Sequence, residues 1–336
     1  MKRLFAALTL LALSACSKAP SDQPAAGAAP AAGVLQIAVI PKGTTHEFWK
    51  SIHAGAMKAQ LELAAQGIKV NVLWKGPLRE DDREQQIQVV ENFIGQHVDA
   101  IVVAPLDSKA LVAPVETAVK GKIPVIVIDS GLQSKALTSF IATDNKEGGR
   151  IAARELGKIL GGKGNVIMLR FLVGSASTEE REEGFLEVMA KDFPAIKLLS
   201  TDQHAGATRD SAKTASENLL TKFGAQVNGI FACNESAASG MLLALRDAKL
   251  AGKLTFVAFD SSETLNDGLQ KGEVQGFVVQ NPMNMGYLGV KNAVAAIKGQ
   301  KVEARIDTGV GFVTKANFDA PEMAEIVHPP LDKYLK

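Results

Sequence analysis

The chain has 336 residues, 46% of them hydrophobic and 22% charged, with 37 Lys and Arg against 36 Asp and Glu. That length suits two α/β domains better than one, and the hydrophobic share excludes a disordered chain. A formal net charge of +1 leaves no electrostatic basis for a nucleic-acid partner, and two cysteines, Cys16 and Cys233, cannot build a metal cluster.

Lys2 and Arg3 precede an apolar run over residues 4–13, which matches an export signal and is too short to span a bilayer. The run closes on Leu13-Ser14-Ala15-Cys16, which resembles the bacterial lipobox. That resemblance implies that residues 1–16 are a lipoprotein signal peptide and that Cys16 carries the lipid. Residues 17–33 are mostly Ala, Pro, Ser and Gly, a composition that cannot bury a core and reads as a disordered tether. The expected location is the periplasm or cell surface, with the membrane reached through a lipid anchor only.

From residue 34 onward, strands alternate with amphipathic helices. Strands are predicted at 34–40, 70–74, 140–143, 165–169, 196–200 and 274–280, and a last one at 306–314. Helices are predicted at 48–65, where Phe48, Ile52, Ala56, Ala59 and Leu63 share one face, and at 85–95, 145–160, 209–223, 264–271 and 283–298. The segment 171–185 reads as a polar loop running into another helix. Gly148-Gly149 lacks the spacing of a phosphate loop and predicts close packing of helix on sheet. Pro329-Pro330 and the tail are expected to cap the second lobe.

Two stretches share one plan of strand, polar loop, helix and strand. Residues 98–131 end their second strand at Asp129, and residues 227–262 end theirs at Asp260. Two such βαβ units predict two similar doubly wound lobes, each offering polar groups at the carboxyl ends of its strands, where open parallel sheets bind ligands. Candidates there are residues 42–46, Asp107 and Asp129 in the first half, and Arg181, Asn234, Asp260 and Gln280 in the second. Asp accepts, Arg donates, and Asn and Gln do both, a set that matches vicinal hydroxyls. Phe48 or Trp49 can lie against the C–H face of a sugar ring. Taken singly, Asp129 or Asp260 is as easily a helix cap, Arg181 pairs with its acidic neighbours, Asn234 begins a turn and Cys233 is a small core residue. The matching positions in the two halves favour a ligand. No HExxH, GxSxG or strand-end Ser, His and Asp set is present, so no enzyme, metal or cofactor is expected.

Six segments, PVIVID (124–129), TDN (143–145), EREEGF (180–185), FACNE (231–235), VAFD (257–260) and VVQNP (278–282), give the chain a resemblance to the ribose-type periplasmic sugar-binding proteins of ABC transporters. These share their fold with LacI-type effector domains. The resemblance implies an α/β type I periplasmic binding protein fold, two similar parallel-sheet lobes joined by three crossover segments near 143–144, 280–281 and 309–311. It implies an N-terminal lobe of 34–143 with 281–309 and a C-terminal lobe of 144–280 with 310–336. Carried over residue by residue, the ligand positions are His46, Phe48, Trp49, Asp129, Arg181, Asn234, Asp260 and Gln280. Three departures stand out: His46 where Asn is common, Ser130 where an Arg commonly follows the Asp, and no far-side aromatic within 203–207. The implied protein is a monomer that binds a sugar or polyol by hinge closure and delivers it to an ABC permease. Rival readings are a receptor for a chemoreceptor or sensor kinase, a binder of a different small polar ligand, and an exported hydrolase.

Overall fold

A computed structural model describes residues 33–335. The expected export signal, the lipobox with Cys16 and the tether lie outside the described residues, Gly33 excepted. The first lobe begins with β1 (Leu35–Ile40), α1 (Glu47–Ala65), β2 (Val70–Trp74), α2 (Arg83–Gly95), β3 (Ala100–Val103), α3 (Val112–Lys120), β4 (Val125–Ile128) and β5 (Ser139–Ala142). The second carries α4 (Asn145–Ile159), β6 (Gly164–Leu169), α5 (Ala176–Asp192), β7 (Ile196–Ser200), α6 (Arg209–Phe223), β8 (Gly229–Ala232), α7 (Glu235–Asp247), β9 (Thr255–Phe259), α8 (Glu263–Gln270) and β10 (Gly276–Gln280). The chain returns through α9 (Pro282–Ile297) and β11 (Arg305–Asp307), then ends with β12 (Val310–Val313), α10 (Pro321–Val327) and α11 (Leu331–Tyr334).

The strands form two six-stranded sheets, ordered β11-β5-β4-β3-β1-β2 and β12-β10-β9-β8-β6-β7. The orders correspond strand for strand, and only β12 runs antiparallel to its neighbour. Alternation along β1 sends Ile37 and Val39 to the α1 and α9 side and Ala38 and Ile40 to the α2 and α3 side. The second sheet is likewise covered on both faces, which is why its strands read as continuous apolar runs. In each sheet the order reverses beside the first strand, between β1 and β3 and again between β6 and β8. The carboxyl ends there open the crevice that binds ligands in such folds.

Three passages join the lobes: β5 to α4, β10 to α9, and β11 to β12. The predicted last strand, 306–314, is in fact two. Gly309 sits at φ +83°, and Asp307 accepts its N–H at 2.9 Å. That turn sends β11 to the first sheet and β12 to the second. Arg305 staples two passages together by donating to the carbonyls of Ala142 (2.7 Å) and Thr143 (3.1 Å).

The segment around Arg181 also differs from expectation. It is helical from Ala176, and its buried face includes Ser177, Thr178, Arg181 and Gly184. Polar and small residues on the inward face erase the apolar periodicity by which a helix is read. The tail departs too. Phe318 and Val327 enter the second lobe's core, whereas α11, beyond Pro329-Pro330, packs on α1 of the first lobe.

Of the glycine pair, Gly148 meets the sheet, where an added Cβ would stand 2.9 Å from the Phe259 ring. Gly149 meets α5, and its Cβ would stand 1.9 Å from the Arg181 carbonyl oxygen. Backbone contact between α4 and α5 therefore sets the height of Arg181. Gly149→Ala is expected to lower unfolding free energy by about 1–3 kcal/mol in chemical denaturation. Gly95→Ala, which has nothing within 4 Å, is expected to leave it within about 0.5 kcal/mol.

Candidate functional site

Asp129 and Asp260 follow directly on β4 and β9, and both have left-handed backbones, at φ +63° and +67°. Non-glycine residues pay for that conformation, and its recurrence at equivalent points of two sheets marks a functional constraint. Both carboxylates are buried and lie in the wall of one cavity between the lobes.

All eight residues expected from the resemblance line that cavity: His46, Phe48 and Trp49 at the start of α1, Asp129, Arg181 on α5, Asn234 before α7, Asp260 and Gln280 at the end of β10. Arg181 is not on a solvated face. It is buried, donates to Asn145 Oδ1 (2.8 Å) and to the Cys233 carbonyl (3.0 Å), and lays its guanidinium over Phe259, 3.9 Å from the ring centre. Asp260 Oδ1 accepts from Gln280 Nε2 at 2.8 Å, and Oδ2 accepts from the Glu235 N–H at 3.3 Å with Arg181 Nη1 3.7 Å away. Gln280 Oε1 is buried with no partner among the described residues, an acceptor free for a ligand hydroxyl. Asn234 serves two roles at once: it lines the cavity and its Oδ1 caps α7 through the Ala237 N–H. Cys233 is fully buried, and burial raises its thiol pKa. Asp107 stands apart, accepting from the Lys109 and Ala110 N–H groups and pairing with Arg83.

Lys42, from the expected 42–46 loop, also lines the cavity, whereas Phe171, Glu80 and Glu235 escape the sequence argument. Lys42 lies 3.1 Å from Asp129 and places a cation where Ser130 supplies none. Phe171, in the loop after β6, adds an aromatic wall that residues 203–207 lack. Glu80 and Glu235 enter from loops and helix starts, and nothing local distinguishes them from solvated carboxylates. Lys42 lies two residues beyond β1, in the loop already expected to offer polar groups.

The charges nearly balance. Burial raises the Asp260 pKa to about 6; Arg181 and Gln280 oppose that shift, and Asp129 and Glu235 reinforce it. Burial likewise raises Glu235 against the pull of Arg209. Burial works to lower His46, but the hydrogen bond and charge of Glu80 outweigh it and hold the imidazole above its ordinary value. Mixed donors and acceptors without a dominant charge suit a neutral, hydroxyl-rich molecule better than an ion. A second, roomier cavity of about 440 Å³, against about 30 Å³ for the first, shares Phe48, Asp260 and Gln280 and is lined also by Glu47, Ser51, Ser262, Glu263, Asn266 and the chain at 326–331. It lacks the converging cations.

Polar contacts also cross from lobe to lobe around the cavity. Lys42 donates to Ser177 Oγ (3.0 Å) and Ser175 Oγ (3.3 Å), and the Ser177 N–H donates to Ser130 Oγ (3.1 Å). On the other side, Glu47 accepts from Arg209 and from the Glu263 N–H, each at 2.9 Å.

Comparison with known proteins agrees with this architecture. A family model described as a periplasmic binding protein domain matches residues 37–301. The ribose import binding protein of Haemophilus influenzae is 30% identical over 83% of this chain and 91% of its own. The xylitol-binding protein of Mycolicibacterium smegmatis is 29% identical over 78% of this chain and 74% of its own. A carbohydrate transporter solute-binding protein from Agrobacterium radiobacter, crystallised with D-arabinose, superposes with a TM-score of 0.83 at 37% identity, over 88% of this chain and all of that one. Paired doubly wound sheets, three passages between them, a polar cavity at their switch points and these likenesses lead to one conclusion: this chain belongs to the periplasmic binding protein family, among its ribose-type members.

Proposed function

We propose that this protein is the lipid-anchored receptor of an ABC importer, binding a monosaccharide or related polyol between its lobes. The observation that carries the reading is the convergence of Asp129 and Asp260, from equivalent strand ends of both sheets, on one cavity with Arg181, Asn234 and Gln280. Hydroxyls of a sugar would satisfy the carboxylates and the free Gln280 Oε1, while Phe48, Trp49 and Phe171 would cover its C–H faces. Related proteins known to bind ribose, xylitol and D-arabinose support that ligand class.

The working lobes would be 34–143 with 281–309, and 144–280 with 310–336, moving about the three passages, with α11 of that tail resting on α1 of the first lobe. Ligand contacts from both lobes favour the closed arrangement, which a permease would recognise as a pair of adjacent lobe surfaces. The receptor would act as a monomer, held to the membrane through Cys16.

A thermal-shift screen of pentoses, hexoses and polyols is expected to give a stabilising hit. Asp129→Ala and Asp260→Ala are each expected to abolish that shift, since each leaves buried cations or hydroxyls unpaired. Retention of the full shift in both variants would overturn the site.

Asp260 also makes stability depend on pH. Burial raises its pKa in the folded protein to about 6, so its contribution is present below the ordinary carboxylate range and is lost as pH rises through about 6. The full span corresponds to about 3 kcal/mol. Chemical denaturation is expected to show falling stability between about pH 4 and about pH 7, with a shallower slope in Asp260→Asn.

For the anchor, Cys16→Ser is expected to move the protein from the detergent phase to the aqueous phase in a Triton X-114 partition. Detergent partition that persists unchanged in the variant would sink the lipidation reading.

A further inference from the structure

Glu80 lies in the loop between β2 and α2, away from any strand end, yet its side chain is buried in the cleft wall. A single oxygen, Oε1, accepts the Trp49 indole N–H at 2.8 Å and also meets His46 Nδ1 at 2.5 Å. The carboxylate arm is packed so closely on the first loop that a Cβ at Gly43 would stand 2.9 Å from Glu80 Cγ. One group therefore fixes two cleft residues that begin the same helix.

The pairing has a chemical consequence. A carboxylate against Nδ1 keeps the proton on that nitrogen in both charge states of the ring. The nitrogen left for a ligand is Nε2, which is an N–H donor while His46 is protonated and a bare acceptor once it is neutral. Glu80 thus sets both the tautomer and the pH at which the cleft exchanges a donor for an acceptor. Four charged groups act on this pair: Glu80 itself, Glu235 at the start of α7 and Arg209 at the start of α6 act on His46, and Lys42 acts on Glu80. Burial works against the charge on both partners, and their mutual attraction outweighs it, holding His46 above and Glu80 below their ordinary values.

We propose that Glu80 is a positioning residue for the cleft: it holds His46 as an Nε2–H donor and pins the edge of the Trp49 indole, so that the site selects a polyhydroxyl ligand presenting an acceptor oxygen beside an apolar C–H face. This inference rests on the sugar-binding reading above. It adds a specificity determinant outside the strand-end set and a pH-dependent affinity.

The chain has two tryptophans, Trp49 and Trp74, so a Trp74→Phe background makes Trp49 the sole indole reporter. In that background, the full chain and its Glu80→Gln variant are titrated calorimetrically with D-arabinose, D-ribose and xylitol from about pH 5 to about pH 9. The parent is expected to bind one of these probes and to lose about tenfold in affinity on the alkaline side, as Nε2 stops donating. Glu80→Gln keeps the side chain's size but not its charge, so that loss is expected at lower pH, together with about tenfold weaker binding near neutrality and a changed Trp49 emission. His46→Asn, which donates without titrating, is expected to remove the alkaline loss and to make the further change to Glu80→Gln nearly silent in affinity. If Glu80→Gln keeps both the parent's pH profile and its Trp49 emission, the inference is wrong. A parent that binds none of these probes at any pH and gives no hit in the wider screen of pentoses, hexoses and polyols would overturn the sugar-binding reading, and this inference with it.

Discussion

Two aspartates must remain buried between the lobes, each at the end of a strand and each held in a backbone conformation that L-residues avoid. An isolated carboxylate in such a place would shed its charge or unfold its surroundings. The rest of the cleft answers that constraint. Lys42 stands beside Asp129, and Arg181 approaches Asp260, itself steadied by Asn145, the Cys233 carbonyl and the face of Phe259. Because the two cation–anion pairs sit on opposite walls, the arrangement is matched between halves without being copied residue for residue.

The packing below the cleft explains how these side chains reach their positions. Helices α4 and α5 touch through glycines, as do α1 and α9, where a Cβ on Gly55 would stand 1.8 Å from the Met283 carbonyl oxygen. Such close approach leaves little freedom for the N-terminal halves of α1 and α5, which carry Phe48, Trp49 and Arg181. Rigid helices delivering a few polar groups give a site its geometry; flexible loops would blur it. The contacts that cross the cleft, by contrast, are a few individual hydrogen bonds and ion pairs, with no apolar cluster among the described residues shared between the two sheets. A firm interior within each lobe, joined by few contacts between lobes, is what hinge motion about three passages requires.

Chemically, the cleft is poised between charges. Burial raises the Asp260 pKa to about 6, while the His46 and Glu80 pair holds its own proton against burial. Opposing shifts of this kind keep donors and acceptors both available in one small volume. That suits a guest whose hydroxyls do both and carry no charge.

Much of the architecture was legible from the residues in order. Apolar runs such as Ile101–Val103 and Val125–Ile128 mark fully buried strands, and the recurrence of a terminal Asp in two βαβ units marked both the duplication and the site. Local pattern suffices there because strand alternation and helix periodicity are properties of neighbouring residues. It failed where a helix turned a polar face inward, as α5 does at Ser177, Thr178 and Arg181, and where one apolar stretch, 306–314, was shared between two sheets. Glu80, Phe171 and Glu235 join the cavity from places separated by many residues. Whether a carboxylate is solvated or buried against His46 and Trp49 depends on which loops the two sheets bring together, and that proximity exists only once the chain has folded.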